Sequence, residues 1–309
     1  MLALSGPSTL SAALTDIGAD FEDYRESPAT AAVGSCGLGL GLDPAAWNYN
    51  PAAGVDAGSG VLLKHTSAFD DNARVISDLL SASYKTGFGG IGLTVLRNGA
   101  GSISFTSLPD STRPPGPDNR PRVDSVVTAS DWLGQASVAF NLKRLSLGSN
   151  VNFIYRDLVA ATAIGFGADV GIRYAFDWGL SLAARVKNAF TTPVFWSTDS
   201  VDLLSPRAAI GAMQELRFAG QKLRLYLESE ASLSGIDTFE TRIGPVYLRP
   251  RGGLEFVIKD IIALRAGRSD YGWSVGVGGK YKGFFIDYCY RGHDRGLGGT
   301  HLVAAGYTF

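Results

Sequence analysis

Three histidines and two cysteines are the side chains of this 309-residue chain best suited to act as base, nucleophile or soft metal ligand. Such chemistry needs several of them at short spacings or within mutual reach. Cys36 and Cys289 stand far apart in the chain. A bridge formed in an oxidising compartment is one reading, and two unrelated small side chains is the simpler one. His293 adjoins Asp294 in a polar stretch and reads as solvated loop. No HExxH, P-loop or GxSxG motif occurs. Gly278-Gly279-Lys280 lacks the hydroxyl residue that a phosphate loop requires. The expectation is a protein that is not an enzyme and carries no metal and no cofactor. The 28 basic residues nearly balance 29 acidic ones, which argues against a nucleic-acid partner.

The other ionisable residues alternate with apolar ones. In Lys222–Ala231, Leu223, Leu225 and Leu227 share one face while Arg224, Tyr226, Glu228 and Glu230 share the other. Gly179–Ala189 sets Leu180, Leu182, Ala184 and Val186 against Ser181, Arg185 and Lys187. Gly165–Tyr174 sets Phe166, Val170, Ile172 and Tyr174 against Asp169 and Arg173. Period two is the mark of a strand with two unlike faces. Candidate strands lie near 60–67, 77–86, 89–98, 124–142, 145–156, 162–174, 178–189, 206–218, 221–233, 247–258, 260–268, 271–281, 283–291 and 300–309, about fourteen, with 101–107 a further short candidate. No segment reaches the ~18–20 apolar residues of a spanning helix.

Connections between these strands tend to alternate in length. Long ones fall near 68–76, 99–123, 190–205, 234–246 and 292–299; short ones include Lys143–Arg144, Ala219–Gly220, Lys259 and Lys282. A soluble sandwich also alternates in polarity, but it has no need of this rhythm. Short turns at one end and long loops at the other are the habit of outer-membrane barrels. The fold class expected is therefore all-β: an antiparallel transmembrane barrel of about fourteen strands over residues 58–309. The last strand carries His301, Val303, Ala305, Tyr307 and Phe309 on one face. An aromatic-ended final strand resembles the insertion signal of such barrels, with Tyr307 and Phe309 at the interface girdle. It implies barrel-assembly machinery and outer-membrane lipid as partners, and the bacterial outer membrane as location.

The inward face is expected to hold Lys85, Asp169, Arg173, Arg185, Lys187, Glu215, Arg217, Arg224, Glu228, Glu230, Glu255, Arg265, Lys280, Asp287 and Arg291. Mixed signs favour pairing across strands over a strongly ion-selective open pore. His65 and His301 fall in the first and last strands, which closure makes neighbours, so they are expected at the seam in hydrogen bonds rather than in catalysis.

Ahead of the barrel, residues 1–19 read as a degenerate or truncated export signal without a basic start. Residues 20–57 read as a plug-like segment with short helical turns, starting near Ser27, at Asp43-Pro44 and at Asn50-Pro51. From about residue 28 the chain resembles the PorV/PorQ family, whose barrels have the fold of the FadL fatty-acid transporters. The resemblance rests on Trp47–Ala53 (WNYNPAA), on Leu63-Lys64-His65, on Gly167–Gly171 with Val186-Lys187-Asn188, and on Asp287–Tyr290 followed by Thr300-His301 and Gly306–Phe309. It implies that Trp47, Asn48, Asn50 and Pro51 are the plug motif. It implies either a role in type IX-like protein secretion and surface attachment, with secretion components as partners at loops 99–123 and 190–205, or transport of hydrophobic small molecules. A purely structural outer-membrane protein is the third alternative.

Overall fold

The computed structural model describes residues 12–15, 24–69, 75–232, 241–244, 246–293 and 298–309. The export signal expected over 1–19 lies outside the described residues except Ala12–Thr15, which pair parallel with Val201–Leu204. Parts of the loops expected at 68–76, 234–246 and 292–299 also lie outside them.

Fourteen antiparallel strands close into a barrel. They are β1 (Gly60–Ala68), β2 (Val75–Lys85), β3 (Gly89–Ser107), β4 (Arg122–Leu142), β5 (Leu145–Asp157), β6 (Thr162–Ala175), β7 (Leu180–Lys187), β8 (Arg207–Phe218), β9 (Gln221–Ser232), β10 (Val246–Ile258), β11 (Ile262–Ser269), β12 (Gly272–Tyr281), β13 (Phe284–His293) and β14 (Gly299–Thr308). Each pairs with its sequence neighbours, and β14 closes on β1 with Val303 opposite His65. The candidate strands at 89–98 and 101–107 are one strand with a register shift between Ala100 and Ile103.

Alternation places the apolar positions outside. Leu63, Leu93, Val151, Phe166, Ile210, Leu227 and Ile286 are each more than half exposed. So much apolar surface suits hydrocarbon rather than water. Aromatic rings band the short-turn end, among them Tyr84, Phe140, Phe218, Phe284, Tyr307 and Phe309, and Trp132, Tyr155 and Trp273 band the other. Phe284 and Tyr307 pack at 4.7 Å and Tyr307 stacks on Phe309 at 6.3 Å, so the terminal aromatics sit within the short-turn girdle. Along β4, Phe140 and Trp132 are roughly 20 Å apart in height, from ~3.3 Å per residue and a tilt near 40°. That is close to the apolar band of a spanning barrel.

Residues 24–57 fill the interior. A short helix, α1 (Pro28–Ala32), starts at Ser27, whose side chain accepts from Thr30 N at 3.3 Å with Pro28 in the first turn. Two 3₁₀ turns follow at Ala46–Asn48 and Pro51–Asp56; Asn50 caps the second by accepting from Ala52 N at 3.1 Å. α1 lies against β11–β14, and Pro51–Asp56 lies against β3–β6. Wall glycines make this fit possible. A Cβ on Gly253 or Gly267 would collide with the Val33-Gly34 backbone, and one on Gly171 with the Asn50 amide.

Gly171→Val should therefore unseat the plug and leave the barrel closed. Arg25 is 2% exposed, so the chain should resist trypsin there and become cleavable in the variant, with the heat-dependent gel shift of the barrel unchanged. Equal resistance in both proteins would contradict a seated plug.

Candidate functional site: a plugged lumen with two unlike walls

The plug is held by side chains from nearly every quarter of the wall. Trp47 lies against Gly90 and Gly92, and its Nε1 donates to Ser83 Oγ at 3.0 Å. Its carbonyl accepts from Asn150 at 2.9 Å. Asn48 accepts from Gln135 at 3.0 Å. Asn50 donates to Leu38 O at 2.8 Å. Pro51 has its neighbours on β5 at Gly148. All four residues of the expected plug motif thus face inward and are buried.

Ion pairs complete the hold. Arg25 reaches Asp169 at 3.4 Å, Arg173 reaches Asp56 at 3.0 Å, and Arg291 pairs with Glu26. Glu228 accepts from Leu38 N at 2.7 Å and from the Tyr49 hydroxyl at 3.1 Å. Arg185 lies 4.7 Å from the Tyr49 ring centre and donates to its carbonyl at 2.5 Å. A buried charge left without its partner is costly, so these pairs bind plug and wall into one unit.

The wall itself has two characters. On one side an apolar belt runs in register from Leu79 through Leu96 and Leu133 to Ile154, each 0–1% exposed, and it packs with Val194 and Leu204. On the other side Glu230 faces four arginines: Arg185 at 2.7 Å, Arg207 at 3.7 Å, and Arg249 and Arg251 at 3.9 Å. Below them a chain of alternating charge crosses from β8 to β13. Glu215–Arg224 and Arg224–Glu255 are both 2.7 Å, Glu255–Arg265 is 2.8 Å and Arg265–Asp287 is 2.5 Å.

The expected inward residues lie at different depths of the barrel. Asp169, Arg173, Arg185, Lys187, Glu228, Glu230, Glu255, Asp287 and Arg291 are buried, and Arg224 and Arg265 are partly buried. Glu215 lies at the short-turn mouth, and Lys85, Arg217 and Lys280 lie exposed at its rim. The residues missed are Arg25, Glu26, Tyr49 and Asp56 on the plug, and Arg207, Arg249 and Arg251 on the wall. Arg249 and Arg251 share the face of Glu255 by simple parity, a signal that was there to read. The plug residues carry no periodic signal. His65 and His301 do sit beside the seam, on the outer face. They bond separately, His65 to Asp78 at 2.7 Å and His301 to the Tyr288 hydroxyl at 2.8 Å. Cys36 and Cys289 are both free and buried in different apolar clusters. No group of three metal-ligating side chains occurs among the described residues.

One stretch of wall is broken. Five steps along β6, from Gly165 to Val170, face eight steps from Val186 to Val194, so three extra residues leave the sheet. Asn188 and Thr191 there have φ of 52° and 57°, a left-handed conformation unfavourable to non-glycine residues. Phe190 points outward, 81% exposed. Asp169 closes the break from inside. One carboxylate oxygen accepts from Asn188 N at 3.1 Å; the other accepts from Asn152 at 3.1 Å and from Arg25 of the plug at 3.4 Å.

On the short-turn side of the plug lie cavities of about 630 Å³ and 390 Å³ that share Leu42, Asp56 and Arg224. Between the plug and the basic wall a gap of about 20 Å³ remains, lined by Arg185, Lys187 and Arg251 among others. It has room for about one water. Among the described residues the plug fills the space between these cavities and the long-loop strand ends.

No family model matches the chain, and no curated protein matches it. Solved structures do. The Pseudomonas putida toluene transporter TodX aligns with a TM-score of 0.57 at 10% identity, over 91% of this chain and 96% of its own. The TodX monoaromatic hydrocarbon channel deltaS2 mutant gives 0.56 at 11% identity, over 94% and 100%. The CymD monoaromatic hydrocarbon channel gives 0.53 at 10% identity, over 92% and 97%. This chain has their fold. The FadL-like barrel expected from sequence is thereby met at the level of architecture.

Burial pushes the carboxyl of Asp43, a plug residue, up to about 6, with Asp287 adding to the effect; Ser27, the Ala45 amide and Arg265 oppose it. Its Oδ1 accepts from Ala45 N at 2.8 Å, and its buried Oδ2 has no hydrogen bond within normal geometry among the described residues. An unseated Asp43 returns to the usual value near 4. The seated plug then binds the extra proton, so acid favours seating: the gain grows as pH falls through about 6 and levels off near 4. Hydrogen exchange over residues 43–57, corrected for its intrinsic pH dependence, should show tighter protection at pH 5 than at pH 7. Asp43→Asn should reduce that difference.

Proposed function

We propose that this chain is an outer-membrane channel for small apolar molecules, gated by its own plug. The observation that carries the reading is the pairing of a plug-filled lumen with an apolar belt along one wall, in a barrel of the fold of TodX and CymD. Beside the basic wall, the gap between described residues has room for about one water. Leu79, Leu96, Leu133 and Ile154 are packed shut in this state and open to an apolar molecule only when the plug moves. Plug movement frees it to continue, and the break at Asn188–Thr191 is the weak point of the wall through which it reaches the bilayer sideways. Asp169 ties the two, because it holds Arg25 of the plug and Asn188 of the break at once.

Cells expressing the protein should take up radiolabelled toluene or a long-chain fatty acid faster than cells with an empty vector. Asp169→Asn should raise the rate severalfold by loosening both the plug and the break. Uptake equal to the vector control for every apolar probe would sink the channel reading and leave a structural role.

Secretion association of the PorV/PorQ kind is a second reading, favoured by one feature. Beyond Ala100 and before Ser130, β3 and β4 leave the barrel as a two-stranded ribbon, with Phe105, Val123 and Val126 about half exposed or more. Isolated ribbons are marginal in water, and this one offers apolar side chains and free strand edges to a partner. Deleting residues 102–128 should abolish co-purification of secretion components while leaving apolar uptake intact. Trp196, in the other expected contact loop, is turned to Asp202 at 2.8 Å and lies under Arg156 at 5.6 Å.

A further inference from the structure

The outer surface of the barrel is not uniformly apolar. The outward positions of β6 to β9 carry no Asp, Glu, Lys, Arg or His. On the closing side the outward face holds His65, Asp78, Arg97 and His301, with Arg268 further round on β11. Three of these are neighbours in register on β1, β2 and β3: His65 opposite Asp78, and Asp78 opposite Arg97. His65 lies 2.7 Å from Asp78, and Arg97 3.9 Å, with the side chains 52%, 49% and 37% exposed. Next in line is Trp132 of the long-loop girdle, whose ring centre is 5.9 Å from the Arg97 guanidinium. Charges on the lipid face are costly at the bilayer centre and tolerated near its edge. This cluster therefore belongs beneath the headgroups of the outer leaflet.

Directly below it, toward the short-turn end, the surface is hollowed. A groove of about 570 Å³ is walled by Leu63, Leu80, Val95 and Val303, floored by Ala304, and roofed by Asp78, Arg97 and Trp132. An apolar trough running down from a half-exposed guanidinium has the shape and polarity of an amphiphile: acyl chain below, anionic head above. The Arg97 fork suits phosphate, to which arginine binds in bidentate fashion. Asp78 lies beside Arg97 through one carboxylate oxygen, and its other oxygen is bonded to His65.

We propose that this groove is a lipid site, taking a phosphorylated acyl lipid of the outer leaflet with its phosphate on Arg97 and one chain along Leu63, Leu80, Val95 and Val303. The site lies outside the lumen and is independent of what the channel conducts.

The test is native mass spectrometry of the purified full-length protein with bisphosphorylated lipid A and with its dephosphorylated form. Wild type should bind the phosphorylated lipid, and Arg97→Gln should weaken it about tenfold, the loss of one charge-assisted contact. Leu227→Ala, on the plain side of the barrel, should bind as wild type does. The heat-dependent gel shift shows that each variant is folded. Four results would overturn the proposal: no binding by wild type, equal binding by Arg97→Gln, equal binding of the dephosphorylated lipid, or a wild-type dimer that Arg97→Gln dissolves. The last would make the face a contact between two copies.

Discussion

A barrel of fourteen strands is too wide for its own side chains to fill, and that constraint shapes everything inside it. The interior must either hold water or be packed by another part of the chain. Here residues 24–57 pack it. A plug brings unpaired backbone groups into a buried space, and each must find a partner. Ser81, Asn150, Arg185 and Ser274 supply them to the carbonyls of Pro44, Trp47, Tyr49 and Ala32. The wall is therefore polar because the plug is, and glycine-rich at the points where plug backbone touches wall backbone.

The charges serve the same end. Arg25, Glu26 and Asp56 each meet an opposite charge on the wall. Glu228 binds the plug through a backbone amide and the Tyr49 hydroxyl. Asp169 stands at the meeting point, tying plug, sheet and wall break through two carboxylate oxygens.

Alternation made the strands legible, and with them the inward charges, because a spanning strand must show one face to lipid and the other to the lumen. Where that rule stops, so does legibility. Residues 101–107 read as a separate candidate because, past the membrane, both faces of β3 meet water and alternation lapses. Thr192–Trp196 and Val201–Leu204 read as loop, although they are short strands whose pairing depends on the break before them. Asp78 and Arg97 broke the outward pattern among Ile76, Leu80 and Val95, and that departure was itself the visible sign of a site on the lipid face.

The sequence by itself determined the class of fold, the approximate strand count and the inward and outward faces, which follow from local periodicity. Turn chemistry at Ser27, Asp43-Pro44 and Asn50-Pro51 marked short helical turns ahead of the barrel, and only the family resemblance singled out the Trp47–Pro51 motif. Only the tertiary structure decided which charge meets which, because ion pairs such as Arg25–Asp169 join residues 144 apart in the chain. It alone showed that residues 24–57 fill the interior, that the lumen walls differ, that strand pairing is interrupted beside β7, and that His65 and His301 flank the seam with separate partners. Each depends on register around a closed ring, a quantity that no single strand encodes.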